Sequence, residues 1–424
     1  MKVLIISHNV FSATESMGKT LSAYFDGFSS NDLAQFYIHS QVPTLDICNR
    51  YYRMTDKEAI KSILRIDGGR TFEIENIDFN RNDTRTDMGI TTSLYQKARK
   101  RTPLIYLARN TWWSLSKWNN QKLDTWLDDF QPDCVFFASG DYAFMYDIAR
   151  IIAVSRKIPL FVSCMDDYYL NNMNGGSYLG RIQHRHFMKT VHKTMEYASA
   201  IFCICDKMSE DYAKLFHKKT YTVHTPSRIS EPLRGEKKKR ISYLGNLGYQ
   251  RNRQLIDIGN ALHRLHLQPD HIDVYSTEIR DEILADMISE NGIVFHGSVG
   301  AEEVKKIMGE SLAVIHTESF DSNIRKCVAY SVSTKIADSL ASGTCIFAYG
   351  PKEIASIKYL SENNAAICCT DKNELKAKLK CLITNNQLRE QVQENAVRLA
   401  KKNHLHDLTP QLIQKTLREM IGII

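Results

Sequence analysis

Short apolar runs alternate with amphipathic stretches along the first half of the chain. The amphipathic stretches repeat their apolar residues with the period of a helix, as at 17–28 and 142–157. The apolar runs predict strands at 2–8, 134–139, 158–165, 200–205 and 220–224. This alternation is typical of a parallel sheet with helices on both faces, so the first half is predicted to be a doubly wound α/β domain.

The alternation stops at 225–240, a segment rich in proline, serine and charge that predicts a linker. It then resumes with predicted strands at 240–245, 271–276, 293–297, 312–317, 344–350 and 365–370. We therefore predict two Rossmann-like α/β domains, 1–228 and 229–405, and a C-terminal helix at 406–424 that packs back on the first domain. In such folds a ligand binds at the carboxyl ends of the strands, in a cleft between the domains.

The composition is that of a globular protein, with 43% hydrophobic and 24% charged residues in a chain of 424. No apolar run approaches the roughly 20 residues that span a bilayer, and the opening MKVLIISHNV turns polar too soon for a secretory signal. The 10 cysteines include no CxxC pair and no zinc-binding spacing, so we expect reduced core thiols and no metal site. These features predict a cytoplasmic protein.

Positive charge is concentrated in one segment, although the net charge is only +7. The run KARKR at 97–101 leads into a stretch that contains Trp112, Trp113 and Trp118. Cations interleaved with indoles suit an anionic membrane surface, so we expect residues 97–118 to hold the protein on the inner face of the cell membrane. The alternative is a solvated basic helix whose tryptophans face the core. Nucleic acid is not expected, because no binding motif accompanies the patch.

A candidate phosphate site lies between the predicted strands at 312–317 and 344–350. Ser333, Thr334 and Lys335 stand at the start of the helix that is predicted between these strands. Free backbone N–H groups at a helix start, with an ammonium group beside them, can hold phosphate. The pattern therefore predicts a site for a ligand such as a nucleoside diphosphate.

Three stretches of the second half resemble the GT-B glycosyltransferases, nearest the retaining family 4 group of bacterial surface-polysaccharide synthesis. YLGNLGYQRNRQL at 243–255 is similar to the family's glycine turn, with Asn246 in place of the usual Arg and Arg251 in place of Lys. The stretches 293–308 and 333–351 are similar to the strand and helix pieces that follow it. The resemblance implies transfer of a sugar from a nucleotide-diphosphate donor to a hydroxyl of a glycan or lipid-linked glycan, without a metal or other cofactor.

The resemblance also implies roles for single residues. Arg251 and Lys335 would clamp the diphosphate, where fixed cations stabilise the charge that grows on the leaving group. Asp338 would accept hydrogen bonds from the ribose, although a local cap or ion pair is an alternative. Glu318 would meet the donor sugar, yet it lies 20 positions before Asp338, whereas the family's acidic pair is eight apart. The other implied donor-binding residues are Gly18, Gly245, Asn246, Ser333 and Thr334.

Asp166 and Asp167 follow the predicted strand at 158–165, so we expect their carboxylates at the carboxyl end of the first sheet. A carboxylate in that position could bind the acceptor hydroxyl or deprotonate it. A helix cap and an acidic metal pair are the alternatives. The resembling enzymes carry a histidine near this position, where this chain has Ser163 and Cys164.

Rival functions follow from the same residues. An inverting glycosyltransferase would use Asp166 or Asp167 as its base. A non-catalytic protein that binds a sugar nucleotide or a glycan would account for the altered acidic pair. A dehydrogenase is disfavoured because no GxGxxG follows the first strand, and the MGKT sequence at 17–20 lacks the first glycine of a P-loop.

Overall fold

The computed structural model describes residues 1–13, 16–64, 68–73, 102–170, 177–236 and 238–423. Contacts within the chain divide it into two compact units. The first unit comprises Met1–Val223 and Thr409–Ile424, and the second comprises His224–Leu408. The C-terminal helix therefore belongs to the first unit, whose core contains the fully buried side chains of Ile413 and Leu417.

One sheet organises the first unit. Its strands are β1 (Val3–Ser7), β2 (Leu33–Tyr37), β3 (Arg50–Arg53), β4 (Arg70–Glu73), β5 (Cys134–Ala138), β6 (Leu160–Cys164), β7 (Ala200–Cys203) and β8 (Thr220–Thr222). Among the described residues the order across the sheet is β4-β3-β2-β1-β5-β6-β7-β8. β3 and β4 are antiparallel, and the other neighbours are parallel. Val3 pairs with Leu33 on one side and Cys134 on the other, so β1 lies inside the sheet.

Helices cover both faces of this sheet, since every residue of β1 is buried. They are α1 (Ser16–Tyr24), α2 (Asp56–Ile63), α3 (Pro103–Leu115), α4 (Gln121–Phe130), α5 (Ala143–Arg156), α6 (Tyr178–Tyr197) and α7 (Asp206–Phe216). Several begin at a capping side chain: the Asn120 Oδ1 accepts from the backbone N–H of Leu123, and the Ser177 Oγ accepts from that of Gly180. Such caps satisfy N–H groups that have no partner inside the helix.

A second sheet organises the second unit. Its strands are β9 (Ile241–Leu244), β10 (Ile272–Tyr275), β11 (Ile293–Gly297), β12 (Ala313–Thr317), β13 (Cys345–Tyr349) and β14 (Ile367–Cys369). The order in the described residues is β11-β10-β9-β12-β13-β14, and all neighbouring strands are parallel. Both sheets therefore confirm the predicted doubly wound α/β fold.

Two separate cores flank the second sheet. The helices that follow β9 are α8 (Arg251–His263), α9 (Asp281–Leu284), α10 (Ala301–Glu310), α11 (Ser322–Val328), α12 (Thr334–Ala341), α13 (Ala355–Glu362), α14 (Leu375–Thr384), α15 (Asn386–Asn403) and α16 (Leu408–Ile421). Alternate residues of β13 join different cores: Phe347 packs with residues of α8 and α14, and Ile346 packs with residues of α12, α13 and α15. Helices α8 and α12 therefore lie on opposite faces of one sheet.

The apolar-run analysis predicts β1 and β5 to β8 but misses β2, β3 and β4. β2 carries Gln35 in its centre, fully buried, where its Nε2 donates to the Ser7 hydroxyl at 2.8 Å. β3 begins and ends with an arginine, at Arg50 and Arg53. A buried polar residue and flanking charges interrupt the apolar run on which the prediction depends. None of the described helices is both long and apolar enough to cross a membrane.

Candidate functional site

An ion pair between Arg251 and Glu318 lies at the carboxyl end of the second sheet. Arg251 is the first residue of α8, and Glu318 directly follows β12. The Arg251 Nη2 donates to both carboxylate oxygens of Glu318 at 3.0 Å, and its Nε donates to the Thr317 carbonyl oxygen at 3.2 Å. Glu318 is only 1% exposed. A buried carboxylate thus holds the guanidinium in one orientation.

Lys335 provides a further positive charge near this pair. Gly245 permits its approach, because a Cβ at Gly245 would lie 3.1 Å from the Lys335 Nζ and 2.7 Å from the Tyr243 hydroxyl. The Lys335 side chain stays accessible to solvent, yet partial burial and the charge of Arg251 lower its pKa to about 8. Because Arg251 and Glu318 neutralise each other, Lys335 gives this group of three residues a net positive charge below about pH 8.

Asn246 and Gly350 shape the surroundings of the ion pair. The Asn246 Oδ1 accepts a hydrogen bond from the Arg251 Nη1 at 2.9 Å. Asn246, which stands where the resembling family usually has an arginine, therefore helps to orient the Arg251 guanidinium. A Cβ at Gly350 would lie 3.0 Å from the Glu318 carbonyl oxygen and 3.1 Å from its Cβ, which is tighter than most Cβ contacts in real proteins. Gly350 is not among the site residues predicted from the sequence, although the Gly350-Pro351 dipeptide marks the end of β13.

Burial shifts the pKa values of the groups around the ion pair. It raises the pKa of Glu318, while the neighbouring Arg251 opposes this rise. Burial, with a smaller effect of Arg251, lowers the pKa of His316 to about 3, so this imidazole is neutral at physiological pH. The His316 Nε2 lies 2.9 Å from the Ser356 hydroxyl oxygen and 3.8 Å from the Glu318 Oε1. Arg251 is therefore the cation that offsets the cost of burying the Glu318 carboxylate.

Helix α12 begins beside these cations. Ser333 is its N-cap, and the Ser333 Oγ accepts from the backbone N–H of Lys335 at 3.3 Å. Thr334 is the first helical residue and is exposed. The N-terminal end of α12 carries a partial positive charge in addition to the ammonium of Lys335. The three residues predicted for the phosphate site thus stand together at one helix start.

Asp338 contacts the segment that enters the second unit. One of its carboxylate oxygens accepts from the Ser227 hydroxyl at 3.1 Å and from the Arg228 backbone N–H at 2.7 Å. The carboxylate therefore holds the predicted linker against α12. Asp338 thus has a local structural role, like the cap or ion pair that was predicted as the alternative. Its contact with the ribose stays a prediction.

Gly18 lies in α1 of the first unit, where close packing explains a glycine. A Cβ there would lie 2.6 Å from the Val10 carbonyl oxygen and 2.8 Å from the Ser12 Cβ. Glycine allows α1 to approach the loop that follows β1. A contact of Gly18 with a donor remains a prediction.

Asp166 and Asp167 follow β6, as predicted, but their environments differ. Asp167 is 4% exposed, and its Oδ1 accepts from the backbone N–H groups of Tyr169 and Leu170 and from the Tyr212 hydroxyl, the last at 2.7 Å. Asp167 therefore stabilises the turn after β6. This is a local structural role like the helix cap that was predicted as an alternative. Asp166 is only partly buried, so it is the more accessible of the two carboxylates.

A polar aromatic cluster at the same edge of the first sheet was not identified from the sequence. His8 follows β1, and its ring stacks on Tyr142 with centroids 5.4 Å apart. The Arg109 guanidinium carbon lies 3.9 Å from the Tyr142 ring centroid, and Tyr106 donates a hydrogen bond to Asp141. Burial, and next the charge of Arg109, lower the pKa of His8 to about 4. His8 is the last residue of the predicted strand at 2–8, and Asp141 closely follows the predicted strand at 134–139, which is the indication that the sequence offered.

The tryptophans of the basic segment serve the core of the first unit. Trp113 is 1% exposed, stacks on Phe144 with centroids 4.6 Å apart and donates through Nε1 to Asp56 at 2.8 Å. Trp118 is also buried, and Trp112 is half-buried. The indoles are therefore not a membrane-facing row, which agrees with the alternative that they face the core. The basic run at 97–101 lies outside the described residues.

Part of the second unit is similar to a known protein family. Residues 260–409 match the family model described as Glycosyl transferase-like. The matched stretch contains Glu318, Lys335 and Asp338 and begins after Arg251. A search of curated proteins found no significant sequence match.

Several solved structures share the architecture over nearly the whole chain. HepE of Anabaena in complex with UDP is 10% identical with a TM-score of 0.63, over 99% of this chain and 100% of that chain. The fold is that of the GT-B glycosyltransferases. Sucrose-phosphate synthase from Thermosynechococcus elongatus is 9% identical with a TM-score of 0.60, over 100% of both chains. WaaG, a glycosyltransferase involved in lipopolysaccharide biosynthesis, is 12% identical with a TM-score of 0.56, over 99% of this chain and 100% of that chain. These likenesses show that the chain has a GT-B fold, and the family match shows that part of its second unit is similar to glycosyl transferases.

The buried ion pair gives a prediction for stability. Glu318→Leu leaves a buried guanidinium without its carboxylate, and we expect the free energy of unfolding to fall by about 3 kcal/mol. Arg251→Met alone should cost a similar amount. The double variant should recover most of this loss, because two apolar side chains replace a pair of charges that would both be desolvated. Urea denaturation of the wild type and the three variants measures the coupling.

Thr334→Ala provides the matched control, since Thr334 is exposed at the same edge of the sheet. It should change the free energy of unfolding by no more than about 0.5 kcal/mol. Strictly additive losses in the double variant would contradict a buried, coupled pair.

Proposed function

We propose that the protein is a retaining glycosyltransferase that moves a sugar from a nucleotide-diphosphate donor to a hydroxyl of a glycan or lipid-linked glycan. The observation that carries this proposal is the convergence of Arg251, Lys335 and the start of α12 at one edge of the second sheet. Two cations and a helix N-terminus form a site suited to a diphosphate. The GT-B fold and the glycosyltransferase domain support the same activity.

The charges would act on the leaving group. During transfer the bond between the anomeric carbon and the diphosphate oxygen breaks, and a bond forms from that carbon to the acceptor oxygen. The acceptor proton passes to the departing diphosphate. Negative charge grows on that diphosphate, where Arg251, held in place by Glu318, and Lys335 stabilise it. Because two protein cations supply this charge, we propose that no metal or other cofactor takes part.

Glu318 is assigned a positioning role in this scheme. It is 1% exposed, and both of its carboxylate oxygens bind Arg251. Because its carboxylate already binds Arg251, Glu318 is better suited to orient this cation than to attack the donor sugar. In the proposed retaining reaction the departing diphosphate oxygen, and not Glu318, assists the acceptor.

An inverting reaction is the second candidate, with Asp166 as the base. Asp166 follows β6 and is more accessible than Asp167, whose carboxylate already accepts hydrogen bonds from two backbone N–H groups and a tyrosine. A general base has to reach the acceptor hydroxyl, which favours the accessible carboxylate. The anomeric configuration of the product distinguishes the two reactions.

The similar structures suggest which donor nucleotide to test first. HepE has been crystallised with UDP and with UDP-glucose, so UDP is the first nucleotide to test. For a lipid-linked acceptor the enzyme would work at the inner face of the cell membrane. The start of α6 supports such an attachment: Tyr178 is 72% exposed, Leu179 44% and Ile182 39%, and they lie among Arg181 and Arg185. Apolar and cationic side chains on one helix suit an anionic membrane surface.

Loss of either cation should weaken binding of the diphosphate. We expect Arg251→Ala and Lys335→Ala each to reduce the affinity for UDP by about 1 to 3 kcal/mol, the contribution of a charge-assisted hydrogen bond. Affinity for uridine should change less, since uridine carries no phosphate. Isothermal titration with UDP and with uridine measures both effects.

A matched control is Lys376→Ala, which removes an exposed lysine of α14 away from this site. Unchanged affinity for UDP in both site variants would refute the diphosphate assignment. Transfer of a sugar to an acceptor, or hydrolysis of the donor, separates the enzyme from a protein that only binds sugar nucleotides.

The lowered pKa of Lys335 predicts a pH dependence. In the free protein this lysine is charged below about pH 8 and neutral above it. Since the phosphate favours the charged form, the affinity for UDP should fall as the pH rises above about 8, by up to about tenfold per pH unit. Lys335→Arg should remain charged and keep its affinity to higher pH. A fall of equal size in this variant would show that Lys335 is not the titrating group.

Attachment to membranes can be tested on α6. Ile182→Ser with Arg185→Ser should reduce co-sedimentation with vesicles rich in phosphatidylglycerol, because both apolar insertion and charge attraction are weakened. Binding of the wild type should decrease at high salt. Lys376→Ala with Lys380→Ala removes exposed lysines of the second unit and serves as the control. Wild-type binding that is absent, or equal for all variants, would contradict this surface.

A further inference from the structure

A separate cavity opens in the second unit, with a volume of about 540 Å³. Its walls come from the first turns of α8, from the loop after β12 and from Lys372 after β14. It therefore lies at the carboxyl end of the second sheet, on the face that carries α8. Lys335 and α12 belong to the opposite face, and neither Arg251 nor Glu318 lines the cavity.

Gln254 is the residue that indicates a ligand. It lies in the wall of the cavity, its side chain is 3% exposed, and its Oε1 has no hydrogen-bond partner among the described residues. A buried carbonyl oxygen without a partner is rare in folded proteins. A ligand that brings a hydrogen-bond donor into the cavity would satisfy this oxygen.

The charges of the wall indicate a neutral ligand. Lys372 contacts Asp257, with its Nζ 3.2 Å from the Asp257 Oδ2, and Asp257 also accepts from the Tyr349 hydroxyl at 3.3 Å. The remaining charged residues of the wall are Arg253 and Asp321. Two cations and two carboxylates therefore cancel. An anionic ligand would meet an acidic residue for each basic one.

The wall also carries both donors and acceptors of hydrogen bonds. Arg253 and Lys372 can only donate hydrogen bonds, Asp257 and the Gln254 Oε1 accept them, and the Ser319 hydroxyl can do both. A ligand with several hydroxyl groups matches such a wall, because each hydroxyl both donates and accepts. Phe320 adds an apolar surface next to these groups. The volume is within the range of about 300 to 1,000 Å³ that small-molecule pockets occupy.

We propose that this cavity binds a neutral saccharide unit of a glycan. The site is separate from the diphosphate site, and its occupation does not depend on the proposed transfer reaction. Bound there, a glycan would be retained on the second unit whether or not a nucleotide is present.

The test is titration calorimetry of the purified full-length chain with maltose, lactose and cellobiose. At least one disaccharide should bind saturably. Gln254→Leu removes the unpaired acceptor, and Asp257→Asn changes the partner of Lys372 and Tyr349, so each should weaken binding by about tenfold or more. Lys376→Ala, an exposed lysine that does not line the cavity, should bind as the wild type does.

The same variants separate this proposal from the proposed function. Addition of UDP should raise the melting temperature of Gln254→Leu as much as that of the wild type. Lys335→Ala should bind the disaccharide with the affinity of the wild type. Gln254→Leu should melt no lower than the wild type, because it removes a buried polar atom without a partner. If Gln254→Leu does not fold, the test is repeated with Lys372→Ala, which changes an exposed residue at the rim of the cavity. Absence of saturable binding, equal binding by all variants, or stronger binding of inorganic phosphate than of any disaccharide would overturn the saccharide site.

Discussion

The pairing of Arg251 with Glu318 is the interaction on which the candidate site depends. A carboxylate that is 1% exposed has lost its hydration, and a guanidinium bound through two hydrogen bonds compensates for that loss. The same contact fixes Arg251 at the start of α8, because a planar guanidinium that binds both carboxylate oxygens has little freedom to rotate. Stability and the placement of a functional cation thus arise from one pair of residues.

Glycines make this arrangement possible by removing side chains where groups have to approach. Without a Cβ at Gly245, the ammonium of Lys335 can lie near the turn after β9, and without one at Gly350 the backbone of β13 can lie against Glu318. Lys335 stands on the α12 side of the sheet and Arg251 on the α8 side. The parallel sheet brings both to its carboxyl edge, which is where ligands bind in doubly wound folds.

The sequence predicted the fold better than the roles of single residues. Continuous apolar runs identified β1, β5 to β8 and all six strands of the second sheet, whereas β2 and β3 were missed because Gln35, Arg50 and Arg53 break the pattern. The carboxyl ends of predicted strands placed Glu318 and Asp167 at sheet edges. What these carboxylates contact was not predictable, because Arg251 and Tyr212 come from segments 67 and 45 residues away in the chain. Spacing in a sequence locates a residue, but long-range packing decides its partner.

The departure from the family's acidic pair has a structural cause. Helix α11 (Ser322–Val328) lies in the chain between Glu318 and Asp338 and accounts for part of their wide separation. Glu318 binds Arg251, and Asp338 binds Ser227 and Arg228, so both acidic residues hold other parts of the protein. The roles that the resemblance implies for them cannot be transferred by alignment alone. For either residue to contact the donor, its carboxylate would have to accept hydrogen bonds from the ligand in addition to those that it already accepts from the protein.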